Sequence, residues 1–530
     1  MQYLDLNITQ HLPPITNDYI NNKKSVKSLY NRFFEVGEFH DQIEEKKKNY
    51  DNVTRKSLCD VLSKNYTKIK NNSIQINSIN DLKKSNSFTV TTGHQLNLFT
   101  GPLYFFYKII DTIKICEKLK SKYPENNFFP IYWMASEDHD FEEISFFNTS
   151  SNKFFWDIKT NGRVGKLKTN SLKKILDEIS LYFGKDRFNS KKIIELFKKT
   201  YLKHKNLASA TFHLVHEIFG KYGLLILDAD DRVLKKLIFK EFVTEITNQN
   251  CFESVSSTNQ SLIQNKFKPQ VNPREINLFF LENNSRKRII KIKNKYSVLE
   301  SRIKFSQKQL IDEITNYPER FSPNVLLRTI YQEKILPNLA YVGGGSEIAY
   351  WLQLKDFFKT NKITFPILKV RSSLLLISKK NQKKCEKLNI SISDLFKSKA
   401  NLELGFLKNS EKYDFDLTSM KTIISKNFQK LHQISKKTDK SFLGALKAQE
   451  KKQIKGIENL EKRLIKAEKR NKKDKLKRLN QIRDELFPNN NLQERELNFS
   501  EFYQYQGDKF IDILFKKIDP FNNKFLVITL

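Results

Sequence analysis

The stretch that most restricts the fold is Phe128-Phe129-Pro130-Ile131-Tyr132-Trp133-Met134, a near-continuous apolar run of strand length. A strand with one wet face alternates apolar and polar residues, whereas an unbroken run suits a parallel strand covered on both faces. Gly223-Leu224-Leu225-Ile226-Leu227-Asp228 repeats the form, and Phe365-Pro366-Ile367-Leu368-Lys369-Val370 is a weaker case. Phe88-Thr89-Val90-Thr91-Thr92 is short and rich in β-branched residues, and a helix-like pattern follows it from Pro102 to Leu119. Strands of this kind alternating with helices predict an α/β fold with a parallel sheet. About ninety residues separate the second strand from the third, and more than a hundred the third from the fourth, far beyond an ordinary connection of a few residues. Insertions are therefore expected, the second of which alternates near residues 271–304 like small hairpins with a turn at Asn283-Asn284.

At 530 residues the chain exceeds one compact core, and 29% charged residues with a mean hydropathy of -0.56 call for much solvent-facing helix. That helix is legible beyond Ser378. Leu417, Met420, Ile424, Leu431 and Ile434 keep a three-four spacing, which Ile457, Leu460, Leu464 and Ala467 resume after a polar break around Thr438-Asp439. Glu450, Gln453, Asn471 and Asp474 interrupt the seam, so a helical hairpin that also dimerises competes with one long zipper. Residues 1–150 hold an N-terminal segment and the start of the sheet, 151–220 a first insertion, 221–250 core and 251–320 a second insertion. Residues 321–378 return to the core, 379–490 form the helical coiled coil, and 491–530 rejoin the core.

The net charge of +35 invites a nucleic-acid partner, since lysines and arginines release phosphate counterions. The excess is mainly Lys spread through an Asn- and Ile-rich chain, and no zinc finger, RNP-type aromatic pair or helix-turn-helix accompanies it, which argues against nucleic acid. Four dispersed cysteines without a CxxC pair suggest neither a disulfide framework nor a thiolate metal site, so no metal is expected. With no signal sequence and no apolar run of membrane-span length, the expected location is cytoplasmic.

Glycine is scarce, at 15 residues, so its clusters carry information. Thr92-Gly93-His94-Gln95-Leu96-Asn97-Leu98-Phe99-Thr100-Gly101-Pro102 joins a predicted strand to a helix, where the ligand crevice of an open α/β sheet lies. Its polar side chains His94, Gln95, Asn97 and Thr100 are candidate contacts, against the plainer reading of an ordinary loop. Ser136-Glu137-Asp138-His139-Asp140-Phe141-Glu142-Glu143 packs five carboxylates and an imidazole just past the apolar strand. Helix capping accounts for Glu142 and Glu143. It leaves Asp138, His139 and Asp140 to be explained by a site for an amine or metal, against the plainer reading of a solvated charge run. Tyr341-Val342-Gly343-Gly344-Gly345-Ser346-Glu347 matches no phosphate-loop fingerprint, yet permits close backbone approach before a helix.

Together these segments resemble the bacillithiol biosynthesis cysteine-adding enzyme family. The resemblance is carried by Thr92-Gly93-His94-Gln95 with Leu98-Phe99-Thr100-Gly101-Pro102-Leu103-Tyr104, and by Trp133-Met134-Ala135-Ser136-Glu137-Asp138-His139-Asp140-Phe141-Glu142-Glu143. Tyr341-Val342-Gly343-Gly344 with Glu347-Ile348-Ala349-Tyr350-Trp351, and Leu486-Phe487-Pro488-Asn489 with Leu492-Gln493-Glu494-Arg495, complete it. It implies a Rossmann-like core with two connecting-peptide insertions and a coiled-coil domain tied to homodimerisation. It also implies addition of cysteine to glucosaminyl-malate by amide formation, with a nucleotide, ATP or ADP, to activate the carboxyl group. On this reading one of Asp138, His139 and Asp140 is the catalytic group that takes the acceptor's proton. Thr92, Gly93, His94, Gln95, Asn97, Thr100, Tyr104, Ser136, Glu137, Gly343, Gly344 and Glu347 bind the substrates. The alternative is a synthetase-like RNA-interacting protein, which would account for the charge and the Rossmann pattern together.

Overall fold

The computed structural model describes residues 1–184, 188–282, 284–410, 417–438 and 440–530. The chain divides into two compact units: residues 1–375 with 491–528, and residues 376–490 with 529–530.

The first unit is built on five strands: β1 (Ser87–His94), β2 (Asn127–Met134), β3 (Leu225–Asp228), β4 (Asn338–Gly343) and β5 (Ile367–Val370). They lie in the order β5-β4-β1-β2-β3, every neighbouring pair parallel. Numbered along the chain this is the 3-2-1-4-5 order of a doubly wound Rossmann-like sheet, which reverses between β1 and β4. From Phe128 to Met134 every residue of β2 is buried, as its unbroken apolar run requires. β4 was not among the expected strands. Its Asn-Leu-Ala-Tyr-Val-Gly sequence is short and ends in the glycine cluster that dominates a reading by turns.

Helix α1 (Tyr104–Lys122) follows β1 and lays Ile115, Cys116 and Leu119 on the sheet against Phe88, Val90, Leu339, Ala340, Val342 and Ile367. Phe34, Phe39 and Ile43 of the N-terminal segment close the same cluster. Three further helices matter for the crevice: α2 (Arg232–Leu237), α3 (Leu327–Ile335) and α4 (Gly345–Trp351). The insertion between β3 and β4 carries an antiparallel sheet with the strand order 304–305, 295–298, 285–292, 278–282, 321–323, so the hairpin pattern is realised. Of the expected turn, Asn283 lies outside the described residues, as does Asp439 of the break in the helical segment.

In the second unit, α5 (Thr418–Ser435) and α6 (Lys440–Asn471) pair antiparallel, followed by α7 (Lys473–Leu486). Lys421 meets Glu461 at 2.8 Å and His432 meets Glu450 at 3.0 Å, so one number rises as the other falls, as in a hairpin. Glu450 thus breaks the apolar seam because it faces an imidazole. Met420, Leu431, Ile434 and Leu460 of the apolar stripe stay 41–56% exposed. Among the described residues no helix is long and apolar enough to cross a membrane.

The loop after β1 bends through three consecutive positive-φ residues: Phe99 (48°), Thr100 (72°) and Gly101 (63°). Cross-chain bonds hold it there. The Asn498 amide donates to the carbonyls of Phe99 and Gly101, and the Phe99 amide donates to the Tyr201 hydroxyl at 2.8 Å. A Cβ on Gly101 would lie 2.6 Å from the Asn97 Cβ, in a backbone region that side chains avoid. Gly101→Ala should therefore cost the first unit about 1–3 kcal/mol. Urea unfolding followed by tryptophan fluorescence checks it, and an unchanged midpoint would contradict the strain.

Candidate functional site

The strand order reverses between β1 and β4, so the loops leaving them diverge and open a crevice at the carboxyl end of the sheet. A cavity of about 580 Å³ occupies that position. Its wall takes Gly93, His94 and Gln95 from the end of β1, Glu137 and Asp138 from beyond β2, and Gly344 and Glu347 from beyond β4. Arg371, just past β5, and Arg495 of the C-terminal segment line it as well, with Lys108 and Tyr104 of α1, Arg286 of the second insertion, and Arg328 of α3.

One buried cation joins the two diverging loops. Lys108 Nζ donates to the Gly93 carbonyl at 2.9 Å and is ion-paired with Glu347. Glu347 in turn accepts from the Gly344 amide and the Tyr341 hydroxyl, each at 2.8 Å. Burial works to raise the Glu347 carboxyl, but Lys108 and these bonds win and hold it well below the usual carboxylate range. Arg328 donates to the hydroxyls of Tyr341 and Tyr350. Gly93 makes room for it, since a Cβ there would sit 3.2 Å from the guanidinium. The start of α3 is set by Asn324, whose side chain accepts from the Leu326 and Leu327 amides and donates to Asn277.

Beyond β2, the two neighbouring carboxylates have opposite environments. Burial pushes the Asp138 carboxyl up, but the His139 ring 3.5 Å away, Gln95 Nε2 donating at 2.8 Å, Arg286 3.7 Å away and the His139 amide donating at 2.8 Å all lower it. The sum holds it far below the ordinary aspartate value. Glu137 is 8% exposed, and burial raises its carboxyl to about 6 despite an ion pair with the fully buried Lys235 of α2. Lys235 is shared with Asp230 at 2.8 Å, which Arg163 also pairs at 2.8 Å.

On the other flank, Arg371 pairs with the buried Glu494 at 2.8 Å and stacks over the Tyr104 ring at 4.8 Å. Glu494 also accepts from Ser373 Oγ and the Leu374 amide. Arg495 Nε and His94 Nε2 are buried without a hydrogen-bond partner. Two unpartnered polar atoms in one wall are groups that a ligand would satisfy.

Of the residues singled out in the sequence, Gly93, His94, Gln95, Tyr104, Glu137, Asp138, Gly344 and Glu347 share this cavity. The others lie outside its wall. Thr92 Oγ1 donates to the Val342 carbonyl at 2.8 Å and ties β1 to β4. Asn97 donates to the Glu143 carbonyl at 3.1 Å, Thr100 is buried in the strained loop, and Ser136 donates to Asp228. Gly343 ends β4, where its carbonyl accepts from the Arg371 amide at 2.8 Å. The His139 ring is turned to Arg286, 2.9 Å away, with its side chain 42% exposed, and Asp140 is exposed. Lys108, Arg286, Arg328, Arg371 and Arg495 went unnoticed, because single cations are inconspicuous among 94 lysines and arginines. Arg495 alone had a signal, standing in a phrase that carried the resemblance. Among the described residues no group of three or more His, Cys, Asp or Glu is placed to hold a metal ion.

His94 packs edge-on to Tyr104 and tilted on Phe105, and burial beside Lys108 and Arg371 lowers its imidazole to about 3. The unfolded chain, with an imidazole near 6.5, takes up this proton first as acid is added. The stability present above about pH 6.5 is therefore lost as pH falls toward 3, by about 2 kcal/mol at about pH 5. Unfolding free energies of wild type and His94→Gln across that range should diverge accordingly; parallel pH profiles would refute a buried neutral imidazole.

The chain matches two family descriptions end to end: Bacillithiol biosynthesis BshC, N-terminal Rossmann-like domain, over residues 1–372, and Bacillithiol biosynthesis BshC, C-terminal coiled-coil domain, over residues 374–530. It is similar to the protein named "Putative cysteine ligase BshC" of Flavobacterium johnsoniae, 49% identical over 516 residues, covering 97% of both chains. The protein of the same name from Christiangramia forsetii is 45% identical over 525 residues, covering 98% of this chain and 97% of its own. That of Bacillus anthracis is 26% identical over 532 residues, covering 97% and 98%.

Proposed function

Since the chain belongs to the bacillithiol biosynthesis BshC family, we propose that it is a cytoplasmic ligase that joins the carboxyl group of cysteine to the amine of glucosaminyl-malate, forming an amide. The observation that carries this reading is the opposite polarity of the two flanks of the cavity. Glu137 and Asp138 stand beyond β2, while Arg371 stands beyond β5, three strands away. At about 4.8 Å per strand the two flanks are roughly 14 Å apart. An acceptor with an ammonium group at one end and two carboxylates at the other complements that arrangement. Its amine lies against Asp138, whose low affinity for protons keeps it anionic, and its malate end against Arg371 and Arg495. The unpartnered Arg495 Nε and His94 Nε2 supply the donors or acceptors on that side.

A carboxylate is a poor electrophile, so cysteine must be activated before an amine attacks it. That activation would come from a bound nucleoside triphosphate, which would pass a phosphoryl or nucleotidyl group to the carboxyl oxygen. The residues present suit such an anion, since Lys108 and Arg328, which the acceptor's malate end does not engage, also line the cavity. Arg328 and Lys108 are held by tyrosines and Glu347, so they would present fixed charge without reorganising during the reaction.

The test is mass spectrometry of purified full-length protein with cysteine and glucosaminyl-malate, with and without ATP. The amide product should appear only with the nucleotide, and Asp138→Asn should raise the KM for the acceptor on the order of ten- to a hundredfold. No product from the wild type under either condition overturns the assignment.

The exposed stripe of Met420, Leu431, Ile434 and Leu460 supports a homodimer formed by two such hairpins, because apolar faces of packed helices are ordinarily covered. Light scattering should give twice the chain mass for wild type and the chain mass for Ile434→Glu combined with Leu460→Glu; a wild-type monomer refutes it.

A further inference from the structure

We propose that Glu137, not its neighbour Asp138, is the general base that removes the proton from the acceptor's ammonium group before it attacks the activated cysteine carboxyl. This assignment rests on the amide-forming reading above and specifies which group does the proton chemistry.

Two adjacent carboxylates reach the same cavity, and their surroundings divide the work between them. Asp138 has its oxygens occupied by Gln95 and the His139 amide, with Arg286 close by. Such a carboxylate attracts a cation strongly and takes its proton poorly. Among the described residues no backbone amide donates to Glu137, which sits almost fully buried against one ammonium, that of Lys235, which also serves Asp230. The other charged or titratable groups acting on it are Arg286 from the insertion, Asp230 beyond β3, and Tyr331 of α3, whose hydroxyl donates to the Ala229 carbonyl at 2.8 Å. Desolvation outweighs the lysine and leaves the carboxyl titrating near 6. That lies close to the pH at which a base is both deprotonated and able to accept. A pair of carboxylates driven apart by their environments is how one site holds a permanent anion and a proton acceptor together.

The step balances within named groups. An N–H bond of the acceptor ammonium breaks, its electron pair stays on nitrogen, and the proton forms an O–H bond on Glu137. The neutral amine then forms the C–N bond with the acyl carbon, the C–O bond to the phosphate or nucleotide leaving group breaks with its electron pair going to oxygen, and the second nitrogen proton passes to that departing phosphate oxygen to leave the neutral amide. Lys235 sits behind Glu137 and acts as a positioning residue, tuning the carboxyl without touching substrate. His139 and Asp140 are not among the residues that line the cavity, and the transfer does not use them.

The experiment measures amide formation by full-length wild type, Glu137→Gln, Glu137→Asp and Asp138→Asn from about pH 5 to about pH 9. Wild type should lose kcat/KM on the acid side with an apparent pKa near 6. Glu137→Gln should lower kcat by about 10²- to 10⁴-fold, leave the acceptor KM within a few-fold and abolish that acid limb. Glu137→Asp should restore part of the rate with the limb present, whereas Asp138→Asn should act mainly on KM. Calorimetric titration of each variant with glucosaminyl-malate alone tests binding and folding apart from turnover, and Glu137→Gln should still bind. Glu137→Gln with a wild-type rate, or with its acid limb intact, overturns the assignment while the ligase reading stands. Loss of acceptor binding in Glu137→Gln, with the acid limb unchanged in Glu137→Asp, assigns Glu137 to binding and also overturns it. Absence of product from wild type removes the ligase reading and this assignment with it.

Discussion

The ammonium of Lys108 is the contact on which the crevice depends. It reaches from α1 to the last turn of β1 at Gly93 and, through Glu347, to the first amide beyond β4. These are the two strands between which the order of the sheet reverses, and no backbone ladder continues past their ends to hold the diverging loops together. A charge this deeply buried is tolerated only when paired, and removing either partner leaves an uncompensated ion. The pair therefore fixes the distance between two loops that sheet geometry leaves open. Arg328, braced by Tyr341 and Tyr350, adds a second fixed charge to the same frame.

Around this frame the polar groups of the wall are sorted by sign. Carboxylates stand beyond β2, paired with an arginine of the second insertion that shares the wall and with a buried lysine from α2. Arginines stand on the β5 flank, with Glu494 buried beneath Arg371. Asp138, Glu137 and Arg371 are each paired with a group of opposite charge, Arg286, Lys235 and Glu494 respectively, which offsets their burial. The insertions are thus more than decoration of the sheet. Arg286 arrives on an antiparallel strand of the second insertion, and its bonds to Ser322 and Pro323 aim it at the loop after β2.

Much of the architecture was legible along the chain. The unbroken apolar run at Phe128–Met134 required a doubly covered parallel strand, the long gaps between such runs required insertions, and the three-four spacing beyond Leu417 required paired helices. These signals are local: strand burial, element spacing and helical periodicity each appear within a window of residues. β4 escaped because its short run merges into glycines. The loops at Gly93, Glu137-Asp138 and Gly344 stood out as well, since glycines and crowded carboxylates are rare enough to be noticed in one dimension.

What each residue in those loops does was decided only by tertiary structure. Asp138 and Glu137 are adjacent and chemically alike, and only the donors around Asp138 and the single lysine behind Glu137 separate them. His139 and Asp140, as conspicuous in the chain as their neighbours, are not among the residues that line the cavity. The cations of the wall come from α1, α3, the second insertion and the C-terminal segment, hundreds of residues apart and hidden among 94 lysines and arginines. The sequence by itself determined which segments would be strands, helices and loops, because backbone periodicity and side-chain burial are short-range properties. Which charges would meet, and so which carboxylate could take a proton, depended on long-range packing, because desolvation and Coulomb interaction act through space and not along the chain.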